Sequence, residues 1–459
     1  MELKNYQKKA IKDLNRYLQL LNETRNYAAA FRLFWQEQSA PALGHYQDIM
    51  PGVPNLCFKV PTGGGKTRSY VLPNLLSSQE SFIVTDSKGT LRRQVGGILE
   101  RRGFRVMELD FTDLLHSPWG YNPLQFIRYD EQRKSWNEQD IITVAAALVP
   151  VEDRTQPFWE YAARNLLEAL VGYTLECLPA EEHNLTSVAR LFAEAETGIL
   201  DEFMREFCTV SPNSFTAMRW KGVQTYRRAD KMYGSILGIL SQKVSNFSFA
   251  GAQQLFLNPN QIDFASISQE PTAVFLRVSD SDFSLANLTS VFYTQALQML
   301  INEADSRPDN RLQIPVRLYL DDFANLIVPD MDKTISVTRS REISVSIVLQ
   351  NVTQLEGLYG RAKAMTIVDN CDHLLYLGGQ SVETARFIGA KANKPVSAIL
   401  NMPLDRAWLF ERGSTPREVK KYDLTRHPLY HQLPEYRALA VPEQERVRQH
   451  GPEQAAAGY

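Results

Sequence analysis

A chain of 459 residues that is 44% hydrophobic and 22% charged is long enough to bury the cores of two or three domains. Its formal net charge of −2 excludes a uniformly basic protein, so any surface that binds nucleic acid must be local. The four cysteines contain no C-x-x-C pair, which favours a reducing cytosol over a disulfide framework. No run of 18 apolar residues occurs, so we expect no transmembrane segment in this chain.

Residues 1–50 are predicted to be helical, because apolar side chains recur at near-helical spacing from Leu3 to Leu18. The segment Leu3–Ile11 resembles the L-x-x-Y-Q-x-x-A-I/V opening of superfamily-two helicases, and residues 1–66 resemble the start of the helicase subunit of type III restriction enzymes. This resemblance implies that Gln7 reads the edge of the adenine base. The same pattern also fits an amphipathic helix that packs beside a sheet.

A glycine-rich stretch, Phe58–Thr67, follows an apolar, strand-like lead and precedes a predicted helix. Strand, glycine loop and helix form the layout of a phosphate-binding loop, in which backbone N–H groups face the phosphates. We expect Lys66 to reach the β- and γ-phosphates of ATP and Thr67 to hold Mg²⁺. The predicted ATP-binding residues are Thr62, Gly63, Gly64, Gly65, Lys66, Thr67 and Arg68. Val60 occupies the first position of the usual G-x-x-x-x-G-K-S/T pattern, as in helicase-type motors; a simple glycine turn between strand and helix is the alternative.

Two further strands are predicted after this loop, at Ser81–Thr85 and Arg105–Leu109. The residues from Thr67 through P-N-L, D-S-K-G-T-L and Y-N-P-L resemble, in order, the TraG/TraD family of coupling ATPases of conjugation and type IV secretion. That family carries D-P-K-G-E-L, so Ser87 and Thr90 depart from its pattern. The resemblance covers about residues 67–426, and it meets the helicase-like start at the shared loop, as a fusion there would.

Between Trp136 and Phe249 the strand pattern stops. Helices are predicted at Ile141–Val149, Phe158–Leu178, Leu185–Phe192, Leu200–Phe207 and Tyr226–Phe247. We therefore predict an all-α domain over residues 136–249, inserted into an ATPase domain formed by residues 51–135 and 250–426. The resemblance implies that this helical domain faces the DNA entrance of a ring.

One segment of the predicted helical domain, residues 219–231, is rich in basic and aromatic side chains. Phosphates of single-stranded DNA would contact Arg219, Lys221, Arg227, Arg228 and Lys231. Bases would stack on Trp220 or Tyr226. A solvated helix face with two buried rings fits the same residues.

The α/β pattern resumes with a strand at Ala273–Val278 and a helix at Leu288–Ile301. Another apolar strand, from Val316, then delivers Asp321 and Asp322 at its carboxyl end, which is a Walker B layout. Asp321 would hold the Mg²⁺ hydration shell and Asp322 would orient or deprotonate the attacking water. The coupling family has Glu in place of Asp322. Two carboxylates that only cap a helix are the alternative.

The next predicted strand ends at Gln350, where the resemblance places a sensor of the γ-phosphate. Arg339 and Arg341 precede this strand and are candidates for an arginine finger that reaches a neighbouring subunit's nucleotide. Ordinary surface arginines fit them as well. A further strand is predicted over 367–377, and residues 427–459 are predicted to be a mobile tail.

Together these features predict an α/β, RecA-like P-loop NTPase with a mostly parallel sheet and an inserted all-α domain. Folding should bring the glycine loop and the two aspartates to neighbouring strand ends around one magnesium-bound triphosphate. The resemblance implies an ATPase with ATP and Mg²⁺ as cofactors that drives relaxase-bound single-stranded DNA to a secretion channel. It also implies a homo-hexamer and a cytoplasmic location, at the inner face of the inner membrane through channel partners.

Two other functions fit parts of the sequence. A restriction-type helicase or translocase subunit is suggested by residues 1–66, but it predicts D-E-x-H and Q-x-x-G-R-x-G-R motifs that the chain lacks. A nucleotide-binding assembly protein with weak turnover would follow if Asp322 cannot replace glutamate.

Overall fold

The computed structural model describes residues 18–19, 21–23, 56–59 and 65–436, with gaps at 154, 196, 322 and 324–326. Of the predicted helical start, residues 18–19 and 21–23 are helical, and the rest of that segment, including Gln7, lies outside the described residues. The strands are β1 (Leu56–Lys59), β2 (Ser81–Asp86), β3 (Arg105–Asp110), β4 (Tyr129–Asp130), β5 (Ser135–Trp136), β6 (Thr272–Arg277), β7 (Val316–Leu320), β8 (Ile343–Leu349), β9 (His373–Tyr376), β10 (Arg406–Glu411) and β11 (Arg417–Lys420).

In the described part of the chain, nine of these strands form one sheet in the order β11-β10-β9-β1-β8-β7-β2-β6-β3. The run from β9 to β3 is parallel throughout, and β10 and β11 extend it antiparallel. The strands β4 and β5 pair separately as a small hairpin. Parallel strands place all their carboxyl ends at one edge, which is where ligands bind in open α/β sheets.

Helices cover both faces of the sheet, as the continuous apolar strands require. They are α1 (Leu72–Ser77), α2 (Thr90–Arg101), α3 (Glu138–Leu148), α4 (Phe158–Cys177), α5 (Leu185–Ala193), α6 (Ile199–Val210), α7 (Phe215–Arg227), α8 (Asp230–Val244), α9 (Ala250–Phe256), α10 (Ala286–Asp305), α11 (Met331–Thr338), α12 (Val352–Tyr359), α13 (Arg361–Asp369), α14 (Val382–Ala392) and α15 (Val396–Leu400). Neighbouring side chains of β2 point to opposite faces: Phe82 and Val84 pack with α1 and α2, whereas Ile83 packs in the core that includes α10.

The helices α3 to α8 follow one another between β5 and β6, and no strand lies among the described residues there. That this segment, which we call the helical domain, is a separate domain stays a prediction. Three of its helices begin where a side chain accepts a hydrogen bond from a backbone N–H of the first turn. Asn137 caps α3, Asn184 caps α5 and Ser214 caps α7. The helices that Asn137 and Asn184 cap were predicted from the sequence, whereas α7 was not.

Three observed elements differ from the predicted ones, and the first is α7, of which the prediction included only the last two residues. The helix predicted over Tyr226–Phe247 is broken, because Ala229 adopts an extended conformation between α7 and α8. The strand predicted over 367–377 is wrong at its start, where Ile367 and Val368 belong to α13, and β9 spans only His373–Tyr376. Ile367 and Val368 are buried apolar residues, and a short apolar run does not distinguish a buried helix from a strand.

Residues 422–436, which we call the strap, pack against the helices that follow the glycine loop. Buried Tyr422, Leu424, Tyr430 and Leu433 share a core with α1 and α2. The expectation of a mobile tail from residue 427 is therefore wrong for residues 427–436. Residues 437–459 lie outside the described residues.

Candidate nucleotide-binding site

The glycine loop ends in a sharp turn into a helix. Gly65 has φ +85°, and a Cβ at this position would lie 3.3 Å from the Ser69 hydroxyl oxygen, so a side chain would be strained here. The Ser69 N–H donates to the Gly65 carbonyl at 2.7 Å, which starts the helical turns. A π-helical turn, Thr67–Val71, continues into α1. Lys66 and Thr67 therefore stand at the start of a helical segment, where anions are favoured.

Lys66 lies beside the first of the predicted aspartates. Its Nζ is 3.2 Å from Asp321 Oδ1, and the two side chains are only 17% and 10% exposed. The two residues follow β1 and β7, which are separated by β8. The expectation of neighbouring strand ends was thus wrong by one strand, because β8 pairs with both β1 and β7 and lies between them.

A cleft of about 470 Å³ opens at this edge of the sheet. Six residues predicted from the sequence line it: Gly65, Lys66, Thr67, Arg68, Asp321 and Gln350. The other lining residues are Thr85, Asp86, Ser87, Lys88, Thr90, Leu91 and Asp280. Its volume lies in the range of roughly 300–1,000 Å³ that is typical of small-molecule sites.

The D-S-K-G motif forms one wall of the cleft by making the turn from β2 into α2. The buried Asp86 carboxylate accepts the backbone N–H groups of Thr90 and Arg92, each at 3.0 Å, and so caps α2. Gly89 has φ +60°, and a Cβ there would lie 2.9 Å from Arg277 Nε. The motif's glycine is thus required by the backbone, and the turn brings Lys88 to the cleft.

Thr85, which lines the cleft, belongs to a buried hydroxyl pair that the sequence analysis did not predict. The Thr85 hydroxyl lies 3.4 Å from the Tyr319 carbonyl, to which it donates, and accepts from the Tyr293 hydroxyl at 2.6 Å. Burial raises the pKa of Tyr293, and the nearby Asp321 carboxylate raises it further. Tyr293 is therefore a protonated donor at neutral pH. It lies 208 positions from Thr85 in sequence, and local periodicity carries no signal for such a pair.

A buried polar network fixes the helix after the loop against the strands that carry Asp321 and Gln350. Arg317 of β7 is fully buried and forms an ion pair with Glu80. Its Nη1 lies 3.5 Å from the Ser346 hydroxyl of β8, and this hydroxyl lies 2.9 Å from the Tyr70 hydroxyl. Tyr70 belongs to the π-helical turn, so the network joins three parts of the site.

The two candidate arginine fingers do not line the cleft. Arg341 makes a bidentate ion pair with Asp305, at 2.7 and 3.0 Å, and Arg339 lies 3.3 Å from Asp372. Both precede β8, whereas Gln350 follows it. A seven-residue strand is about 23 Å long, so these arginines lie at the opposite edge of the sheet from Lys66. Their role as fingers requires a second subunit and stays a prediction.

The basic segment of the helical domain divides into paired and exposed residues. Arg219 pairs with the buried Glu168 at 2.7 Å, and Arg227 pairs with Asp201. Lys221, Arg228 and Lys231 are exposed. Trp220 is buried, so the proposed stacking of bases on Trp220 is wrong for this conformation, whereas Tyr226 is partly exposed. DNA contact stays a prediction, now best carried by the three exposed cations.

Several predicted site residues lie outside the described residues: Gln7, Thr62, Gly63, Gly64 and Asp322. Among the residues that are described, no group of three or more histidine, cysteine or acidic side chains is arranged to hold a metal ion. None of the helices in this part of the chain has both the length and the apolar character to cross a bilayer.

The strand order, the turn at Gly65 and the Lys66–Asp321 contact define an α/β RecA-like P-loop fold, as predicted. The sequence matches the family described as type IV secretory system conjugative DNA transfer over residues 37–392, so the chain belongs to this family. The predicted resemblance to coupling ATPases is thereby confirmed, and the restriction-type alternative is not favoured.

Relatives and solved structures agree with this assignment. VirD4 of Agrobacterium fabrum is 22% identical over 345 residues, which are 73% of this chain and 49% of that protein. VirD4 of Rhizobium rhizogenes is also 22% identical, over 73% of this chain and 48% of its own length. The chain thus spans about half the length of the curated relatives it matches.

Two solved structures have similar folds. The bacterial conjugative coupling protein TrwBdeltaN70 has a TM-score of 0.62 at 17% identity and covers 81% of this chain and 86% of its own. VirB4 of Thermoanaerobacter pseudethanolicus has a TM-score of 0.51 at 15% identity, with 82% and 91% covered. At these identities the likeness establishes the fold.

Proposed function

We propose that this chain is the ATP-driven motor of a coupling complex, which moves relaxase-bound single-stranded DNA toward a type IV secretion channel. The observation that carries the proposal is the 3.2 Å contact between Lys66 and Asp321 in a cleft that Thr67 and Gln350 also line. Membership of the conjugative DNA transfer family supports the substrate. Similar structures of TrwB in complex with an ATP analogue, ADPNP, and with ADP and Mg²⁺ support the cofactors.

The residues in the cleft suit a magnesium-bound nucleoside triphosphate. The Thr67 hydroxyl and the Asp321 carboxylate are hard oxygen ligands of the kind that Mg²⁺ prefers. Lys66 supplies a positive charge for the phosphates, and the φ of +85° at Gly65 would strain any side chain at the preceding position of the loop. ATP bound here would supply the phosphoryl group whose transfer to water drives the motor.

Each of these side chains has a distinct task in that reaction. Lys66 would neutralise the negative charge that grows on the phosphoryl oxygens in the transition state. Asp322 would orient or deprotonate the attacking water, and Gln350 would respond to the γ-phosphate. Because aspartate is one methylene shorter than the glutamate of related proteins, a shift on the order of 1 Å would slow turnover by ~100-fold while leaving nucleotide binding intact.

The proposed motor acts as a ring with further partners. A homo-hexamer would bring Arg341 or Arg339 of one subunit to the nucleotide of the next, where an arginine stabilises the transition state. The exposed cations Lys221, Arg228 and Lys231 would contact the DNA phosphates. The relaxase and the channel proteins would hold the ring at the cytoplasmic face of the inner membrane.

An ATPase assay with and without single-stranded DNA, run beside a measurement of particle mass, tests this function. We expect magnesium-dependent hydrolysis that single-stranded DNA stimulates, together with a shift from monomer to hexamer. Double-stranded DNA of equal length serves as the control ligand. Hydrolysis that no DNA changes, in a particle that remains a monomer, would leave a nucleotide-binding protein and refute the motor.

A further inference from the structure

The strap lies against the start of the nucleotide cleft through specific polar contacts as well as buried rings. His427 Nδ1 accepts the Leu429 N–H at 3.0 Å, so Nε2 carries the proton and donates to the Ser77 hydroxyl at 2.9 Å. Further along the strap, Gln432 accepts a hydrogen bond from Arg101 of α2 at 3.1 Å. The strap is thus fixed to α1 and α2 independently of the cleft.

One strap residue contacts the cleft wall itself. Glu435 accepts both terminal nitrogens of Arg68, at 2.7 and 3.0 Å, in a bidentate pair. Arg68 directly follows Thr67 and lines the cleft. The Tyr430 hydroxyl lies beside the same pair: burial raises the pKa of Tyr430, and the Glu435 carboxylate raises it further.

The Arg68–Glu435 ion pair contributes too little free energy for its main role to be stabilising the fold. The side chains of Arg68 and Glu435 are 53% and 31% exposed, and exposed pairs contribute only about 0.2–1 kcal/mol. The bidentate contact fixes the orientation of the Arg68 guanidinium plane. Glu435 contacts the edge of this plane, and 53% of the Arg68 side chain remains exposed.

The charge arrangement decides which part of a nucleotide Arg68 would contact. Lys66 and Thr67 are the residues suited to the phosphates, and the Glu435 carboxylate both neutralises Arg68 and repels a phosphate near it. A guanidinium in this state is a poor phosphate ligand, but its flat face still stacks on an aromatic ring. The nucleobase is the aromatic part of the nucleotide.

We propose that Glu435 is a positioning residue, which orients the Arg68 guanidinium so that it stacks on the base of the nucleotide held by Lys66 and Thr67. The inference rests on the proposed function, because it assumes that the cleft binds a nucleoside triphosphate. It assigns base contact to the strap side of the cleft and so gives the strap a part in binding ATP.

The test is the affinity of the full chain for ATP and for inorganic tripolyphosphate, which lacks a base, measured by titration calorimetry. Glu435→Ala should weaken ATP binding about 2- to 5-fold, the worth of one exposed cation–π contact, without weakening tripolyphosphate binding. Arg68→Ala should show the same selective loss, and the double variant should lose no more than either single one. Gln432→Ala, which removes a strap contact away from the cleft, should leave both affinities unchanged.

Three outcomes would overturn the proposal. The first is a Glu435→Ala protein that binds ATP as tightly as the wild type does. The second is weaker binding of ATP and tripolyphosphate by the same factor, which indicates a merely structural strap. The third is tighter binding of both ligands, which indicates that Glu435 only repels phosphate. The parent proposal has its own measure in the same experiment: Lys66→Ala should weaken tripolyphosphate binding. If it does not, the site assignment fails whatever Glu435 does.

Discussion

Replacing Lys66 with alanine removes the ammonium group that lies 3.2 Å from the Asp321 carboxylate. If this lysine neutralises charge on the transferring phosphoryl group, its loss resembles that of one preorganised donor in a catalytic site, which typically costs ~10²–10³ in kcat. We therefore expect ATP turnover to fall at least about 100-fold. The assay is phosphate release at saturating ATP and Mg²⁺.

The same substitution should leave the fold intact. The two side chains retain 17% and 10% exposure, so the pair lies between exposed pairs, worth about 0–1 kcal/mol, and fully buried ones, whose disruption costs about 3–5 kcal/mol. We expect a loss of about 1–2 kcal/mol in the free energy of unfolding, measured by denaturant titration. Lys363→Ala, at a half-exposed lysine of α13 that does not line the cleft, is the matched control.

Normal turnover in a folded Lys66→Ala protein would refute the reasoning, because the chemistry would then lie elsewhere. Asp321→Asn provides a second check on the same site. It should lower the affinity for Mg²⁺–ATP, since it removes the carboxylate proposed to hold the metal's hydration shell. For either variant, the denaturant titration distinguishes a loss of turnover caused by unfolding from a loss caused by the missing side-chain group.

Three other predictions concern separate parts of the chain. Asp322→Glu should raise the hydrolysis rate with little change in ATP affinity, and a slower variant would contradict the geometric account of the shorter carboxylate. Lys221→Glu with Arg228→Glu should weaken single-strand binding and flatten its salt dependence by fluorescence anisotropy; Arg227→Gln, at a residue already paired with Asp201, should change the salt slope less. Burial lowers the pKa of His427 to about 4, so below pH 6.5 the unfolded chain binds a proton that the folded chain does not. Stability should be fully present above pH 6.5 and fall by on the order of 2 kcal/mol toward pH 4, and His427→Asn should flatten that slope in pH-dependent thermal unfolding.

Local sequence patterns predicted most of the sheet. A mostly apolar run over Ala273–Val278 became β6, and the run before Asp321 became β7, because strands covered on both faces are apolar along most of their length. The glycine loop was equally predictable from the sequence, since the residue types that define it are adjacent in the chain. The order of the strands, and hence the place of β8 between β1 and β7, depends on long-range pairing that no local pattern encodes.

The same limit explains which side chains of the site were missed or misread. Thr85 and Tyr293 meet across 208 positions, and Arg68 meets Glu435 across 367. Arg219 was predicted to contact DNA. Its partner in the structure, Glu168, lies on α4, a separate helix, so no local pattern indicated this ion pair. A basic residue in sequence shows its charge but not the acid that folding places beside it.

The outermost strand at one side of the sheet, β11, affects how readily copies of this protein aggregate at high concentration. It is short, carries Arg417, Glu418 and Lys420, and pairs along β10, whose Trp408 and Leu409 are buried. An apolar strand with open N–H and C=O groups would recruit strands from other molecules, whereas a short, charged one discourages such growth into aggregates. Strand addition from other copies is therefore discouraged at the β11 edge of the sheet, and we expect contacts between subunits to use other surfaces.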